Sequence, residues 1–183
     1  MKTSVGWGVE QSRVVTWRDP ITTQAAAASM SGLAYWRAVA DGQLPPSPIA
    51  ELLRMRLEDV QNGRIEFSCT PDASMYNPLG VVHGGAVCTL LDTAAACALH
   101  TTLPDGIGYT SVEIKVNYLK AVTVTSGTLT AVGSVVKAGS RIGFAEGEVT
   151  DASGKLVATA TSTLLIFELP SGPKPPSTNG NHS

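Results

Sequence analysis

The run HGGAVCTLLDTAAACALH, His83 to His100, restricts the fold more than any other part of this chain. Gly84 to about Thr101 reads as a helix whose residues are apolar or small nearly all round, and such a helix must be covered on most sides. One carboxylate, Asp92, stands in its middle, with no Lys or Arg within a turn or two on the same helix. A charge in apolar surroundings is costly unless it is paired, hydrogen-bonded or neutralised. Asp92 is therefore either turned to a wet edge, where it can cap backbone, or a catalytic carboxylate held in a partly dry cleft.

The rest of the chain supplies the cover. LLRMRLEDVQNGRIEFSCTP reads as two strands around the turn pair Asn62-Gly63. Downstream of the helix, YTSVEIKVNYL alternates, with Val112, Ile114, Val116 and Tyr118 on one face and Glu113, Lys115 and Asn117 on the other. SGTLTAVGSVVK, RIGFAEGEVTD and KLVATATSTLLIFEL follow as long strands, separated by the short turns AGS and ASG. Strand, strand, buried helix and four further strands fit an α+β domain in which one long antiparallel sheet wraps a central helix. The expected division is a domain over 49–168, an extension over 1–48 and a disordered tail over 169–183. The extension is expected to hold one helix, in the alanine-rich stretch from Ile21 to Ala40, ended by GQLPPSP.

Several function classes lack support. With 13 Lys and Arg scattered against 15 Asp and Glu, and a net charge of −2, nothing clusters to neutralise phosphates, so nucleic acid is not an expected partner. No apolar run reaches membrane-span length, and the first residues lack the apolar core of a signal peptide, so no membrane partner is expected. Cys69, Cys88 and Cys97 are odd in number, and nine residues set the last two on opposite sides of one helix. A disulfide framework is not expected, and a reducing cytoplasm is the simplest location.

The pair Gly84-Gly85 stands where the helix begins. A helix start leaves backbone N–H groups free and carries partial positive charge, so it can hold an oxyanion or a polarised carbonyl; glycine permits close approach. Eight residues separate Gly84 from Asp92, about 12 Å along a helix and some 80° around it. An oxyanion donor and a carboxylate acting on one carbonyl must each come within about 3 Å of it or of its attacking water. One helix cannot place both there. Two copies, antiparallel across a two-fold axis, can, and Ala94, Ala95, Ala96 and Ala98 permit the close approach. The spacing predicts a dimer whose sites take glycine from one chain and aspartate from the other.

Asn77, then G-x-x-H-G-G over Gly80–Gly85, then Asp92 resemble the hotdog-fold acyl-CoA thioesterases, particularly the phenylacetate-degradation (PaaI-like) type. The resemblance runs through SVEIKVNYLKAV and spans about Glu51 to Phe167. It implies a hotdog fold, an acyl-CoA substrate, no cofactor, no metal, and a homodimer or a dimer of dimers. It also implies roles. The Gly84 N–H would polarise the thioester carbonyl, and Asp92 would attack the acyl carbon or activate water to do so. Asn77 would place water or substrate, His83 would support the oxyanion donor, and Ser111 (or Thr110, given a loop shift) would bond the reacting water or carboxylate. Gly85 would lie against the substrate. Lys137 and Arg141, flanking the AGS turn, would reach the nucleotide phosphates, with Lys120 a further candidate and a solvated hairpin tip the alternative. Met75, Tyr76 and Leu91 are candidate pocket residues. The chain departs from the family at Ala121, where proline is common, and at Ala96, where some relatives carry threonine.

Competing chemistries are less well equipped. There is no G-x-S-x-G nucleophile elbow, and a cysteine nucleophile in an apolar helix is expected to be inert. His83 and His100 have no matching ligand cluster, and Cys88 is read as lying on a different helical face from Asp92, so zinc is not expected. Two readings on the same fold stay open: a module that holds acyl-CoA without turning it over, and hydration of an enoyl-CoA.

Overall fold

The computed structural model describes residues 6 and 8–169. The expected disordered tail therefore lies, Leu169 apart, outside the described residues. Four α-helices and six strands follow in the order α1 (Pro20–Ser29), α2 (Gly32–Ala40), α3 (Pro48–Leu53), β1 (Met55–Gln61), β2 (Arg64–Cys69), α4 (Gly84–His100), β3 (Ile107–Tyr118), β4 (Leu129–Ala138), β5 (Ile142–Thr150) and β6 (Leu156–Glu168). All pairings are antiparallel, and the strand order is β1-β2-β4-β5-β6-β3. This is the α+β hotdog arrangement expected from the sequence: the sheet curves round α4, which meets β2, β3, β4, β5 and β6.

Glycine in the sheet lets the helix lie this close. A Cβ at Gly133 on β4 would fall 2.0 Å from the Ala94 carbonyl oxygen, and one at Gly143 on β5 would fall 2.5 Å from the Leu99 side chain. Leu90, Leu91 and Leu99 of α4 are almost fully buried against Ile65, Leu129 and Leu164. Burial of each such leucine contributes about 1.5–3 kcal/mol, enough to hold a helix with so little polar surface in place.

Three features differ from the sequence reading. The expected single helix over 21–40 is two. Ser31 interrupts it, its side chain capping the Ala34 N–H of α2 at 3.4 Å, while Met30 is extended. The break brings Gly32 onto the end of α4: its N–H donates to the Leu103 carbonyl at 3.0 Å, and a Cβ there would collide with the His100 carbonyl at 1.7 Å. Second, Leu52 and Leu53 belong to α3, so the first strand starts later than the apolar run implied. Third, the alternation of β3 is broken by a bulge between Ser111 and Glu113. Val112 does not share the face of Ile114 and Val116; it is 57% exposed, while those two pack on the core. The extra residue turns Ser111 toward the helix, where strict alternation would have aimed it away.

Candidate active site

The start of α4 is built by its own flanks. His83 is the N-cap: its Nδ1 accepts the Gly85 N–H at 2.8 Å, so the Gly85 donor is occupied. The Gly84 N–H has no hydrogen-bond partner among the described residues and remains a free donor at the positive end of the helix. Asn77 shapes the approach. Its Oδ1 accepts the N–H groups of Leu79 (2.9 Å) and Val81 (3.4 Å), closing the loop that delivers the chain to His83 and leaving its amide NH2 as the available donor. The sequence reading missed Tyr118, at the end of β3. Its hydroxyl donates to the Gly84 carbonyl at 3.0 Å, and a Cβ on Gly84 would press on its ring at 3.1 Å. Asn77, Gly84, Tyr118 and Lys120 line one cleft of about 300 Å³. Lys120 also pairs with the carboxylate of Asp151.

Asp92 lies two turns along the helix and lines another cleft. It is half-buried, and its Oδ1 accepts the Ser111 hydroxyl at 2.7 Å; Thr110 lines the same cleft without bonding it. The cleft measures about 500 Å³ and runs along α4 past Ala96 and Cys97 to His100, walled by Tyr109 of β3 and by Tyr35 and Trp36 of α2. Its walls are mostly apolar, and Asp92 is the one carboxylate among the residues that line it. Strand β3 links the two clefts, touching Gly84 through Tyr118 and Asp92 through Ser111, so on a single chain the Gly84 N–H and the Asp92 carboxylate stand apart.

Other candidates resolve differently. Lys137 and Arg141 are exposed at the β4–β5 turn. Met75 and Leu91 are buried in the core rather than lining the cleft beside Asp92, and the Tyr76 hydroxyl accepts the Val124 N–H at 2.9 Å. Cys88 does not lie on a different face from Asp92. Four residues make about one turn, so the two share a side of α4, and the nearby carboxylate adds to the burial that raises the Cys88 thiol. Burial pushes Cys69 up to about 11 and Cys97 higher still, which keeps these thiols protonated and unsuited to nucleophilic attack. His100, near the far end of the cleft, accepts the Trp36 indole N–H on Nδ1 at 3.0 Å, and burial lowers its imidazole to about 4.

Comparison with known proteins follows the same outline. The sequence pattern of the Thioesterase superfamily matches residues 79–158, from the loop after Asn77 into β6. The PaaI protein of the E. coli phenylacetic acid degradation operon is 25% identical over 76% of this chain and 96% of its own, with a TM-score of 0.65. A phenylacetic acid degradation-related protein of Ralstonia eutropha is 27% identical over 72% of this chain and 98% of its own, with a TM-score of 0.66. A Halobacterium salinarum protein that carries an esterase name is 28% identical over 65% of this chain and 84% of its own length. A helix start with a free N–H, a carboxylate bonded to a serine on the adjoining strand, and these similarities agree: residues 79–158 carry the pattern of the thioesterase superfamily.

Proposed function

We propose that the chain hydrolyses acyl-CoA thioesters to the free acid and CoA in sites shared by two copies. The observation that carries this reading is the division of labour along β3. Its outer edge has no neighbour within the described sheet, and such an edge is a ready template for a further strand. A two-fold axis near Ile114 and Lys115 would pair β3 with a second β3 and set Ser111 opposite the partner subunit's Tyr118. Asp92 would then face the partner's Gly84, as the 12 Å spacing along one helix requires. Each copy would supply both halves, giving two sites per dimer.

In such a site the Gly84 N–H receives the charge that builds on the thioester oxygen, while Asp92 either removes a proton from water as it attacks the acyl carbon or attacks that carbon itself. The carbon–sulfur bond breaks, the thiolate leaves as CoA and takes up a proton, and water supplies the second oxygen of the acid. The Ser111 hydroxyl holds one Asp92 oxygen and so directs the other; the Asn77 amide is placed to hold water or the substrate carbonyl. Lys137 and Arg141 are the proposed partners of the CoA phosphates, and a solution at the cell's reducing interior is the proposed setting.

Mixed dimers test the reading. Gly84 is the first helical position, where the backbone accepts proline and loses its N–H, provided the exposed Tyr118 ring gives way to the added carbons, and His83 before it already has the extended backbone that proline requires. Gly84→Pro and Asp92→Asn homodimers should each lose about a hundredfold or more in activity. A mixed dimer of the two, separated by different tags, contains one intact site and should recover about half the activity of the natural dimer. No recovery in mixed dimers would refute shared sites, and full activity in Asp92→Asn would leave only the module that binds acyl-CoA without hydrolysing it.

A further inference from the structure

The cleft that begins at Asp92 is lined toward His100 by the N-terminal extension, which the family pattern over 79–158 leaves out. Ala27 of α1 and Tyr35 and Trp36 of α2 stand against its far part, with Ile49 of α3 beside them. The extension is fastened there. Gly32 abuts the last carbonyl of α4 with no room for a side chain, and the Trp36 indole donates to His100 Nδ1 at 3.0 Å. Tyr35 packs edge-on to Trp36 with ring centres 5.1 Å apart, and His100 lies 4.9 Å from the Tyr109 ring, so the end of the cleft is a continuous aromatic surface.

We propose that this extension is the end wall of the acyl channel and that Trp36 and Tyr35 set the longest acyl group the enzyme accepts. The inference rests on the reading of Asp92 as the residue at the reacting carbon. From Asp92 to His100 is eight residues, about 12 Å along the helix. Contact at either end takes up ~3 Å each, leaving ~6 Å. With C–C bonds of ~1.5 Å in a zigzag chain, that accommodates roughly five carbons beyond the carbonyl, or one ring. Longer chains must displace the Trp36–His100 pair or bend out of the cleft.

The test is a profile rather than a single rate: kcat/KM of the full-length enzyme across straight-chain CoA thioesters from acetyl to palmitoyl. The natural enzyme should fall off beyond roughly six carbons, the length that the ~6 Å run allows. Trp36→Ala should move the fall-off at least two carbons longer. Because Trp36 also packs edge-on against Phe67, Ala27→Phe is the companion variant: it adds bulk from α1 and should move the fall-off shorter. Folded variants, judged by circular dichroism and melting, that keep the natural profile would overturn the proposal. Calorimetric binding of the same series to Asp92→Asn reads the wall without turnover. If the natural enzyme proves inactive, the catalytic reading fails, while a length cut-off in binding that moves in Trp36→Ala still supports the wall and an unmoved one refutes it.

Discussion

The two ends of α4 receive opposite treatment from the rest of the chain. At its start, the described residues satisfy the Gly85 donor with His83 and leave the Gly84 N–H open beside the unpaired edge of β3. At its end, His100 is buried, its ring accepts a bond from Trp36, and Gly32 is pressed on its carbonyl. The start presents polarity outward, toward a surface another chain can cover. The end is sealed by the chain's own extension. Asp92 lies between these regimes, half-buried, in the cleft that runs along the helix to His100. One helix thus offers a free donor at its tip and a serine-bonded carboxylate at its middle.

Substitutions that erase this contrast should have graded effects. Asp92→Asn keeps the shape and the Ser111 contact region but removes the proposed base or nucleophile, and should lower kcat/KM by about a thousandfold in thiol-release assays. Gly84→Pro removes the proposed oxyanion donor and should cost about a hundredfold, mainly in kcat. Ser111→Ala frees one Asp92 oxygen and should cost about tenfold, the worth of a hydrogen bond to a charged group. An effect of Ser111→Ala as large as that of Asp92→Asn would mean that the hydroxyl, rather than the carboxylate, does the chemistry.

The sealed end should show itself in pH dependence. Burial holds His100 at about 4, below the ordinary 6.5. The unfolded chain therefore binds a proton first as pH falls, and the stabilisation present above about pH 6.5 is lost progressively toward pH 4, by at most ~1.4 kcal/mol per unit. Melting of the natural protein between pH 7 and pH 5 should consequently fall more steeply than that of His100→Gln; equal slopes would contradict a neutral, desolvated ring. At the open end the smallest effect is expected: His83→Ala loses a cap and should cost about 1 kcal/mol in denaturant unfolding.

Much of this was legible in the sequence because it follows from periodicity. The apolar run fixed α4 to within a residue of its observed end, and the Asn62-Gly63 turn and the alternating strands led to the six-stranded sheet. The 12 Å separation of Gly84 and Asp92 needed only helix geometry. What stayed hidden depended on contacts between distant elements. The bulge at Val112 leaves no mark in an unbroken alternation, so Ser111 was found only through resemblance. Ser31 and Gly32 look like tolerable helix residues until the end of α4 is seen against them. Tyr118 reads as one more strand residue, although an aromatic near a glycine-opened helix start is a usable signal. The misplacement of Cys88 was avoidable, since a spacing of four residues already sets two side chains on one face.

The zero clearance at Gly32 has a bearing on how the protein can be trimmed. Anyone cutting the chain back to the sheet and α4 alone would strip a fitted plug from the base of the domain, baring Leu103, the His100 ring and the carbonyls at the foot of the helix. The shortened product would be a leaky vessel rather than a minimal enzyme, prone to clumping through that fresh greasy surface. Substituting any larger residue for Gly32 would pry at the same joint while leaving the length unchanged.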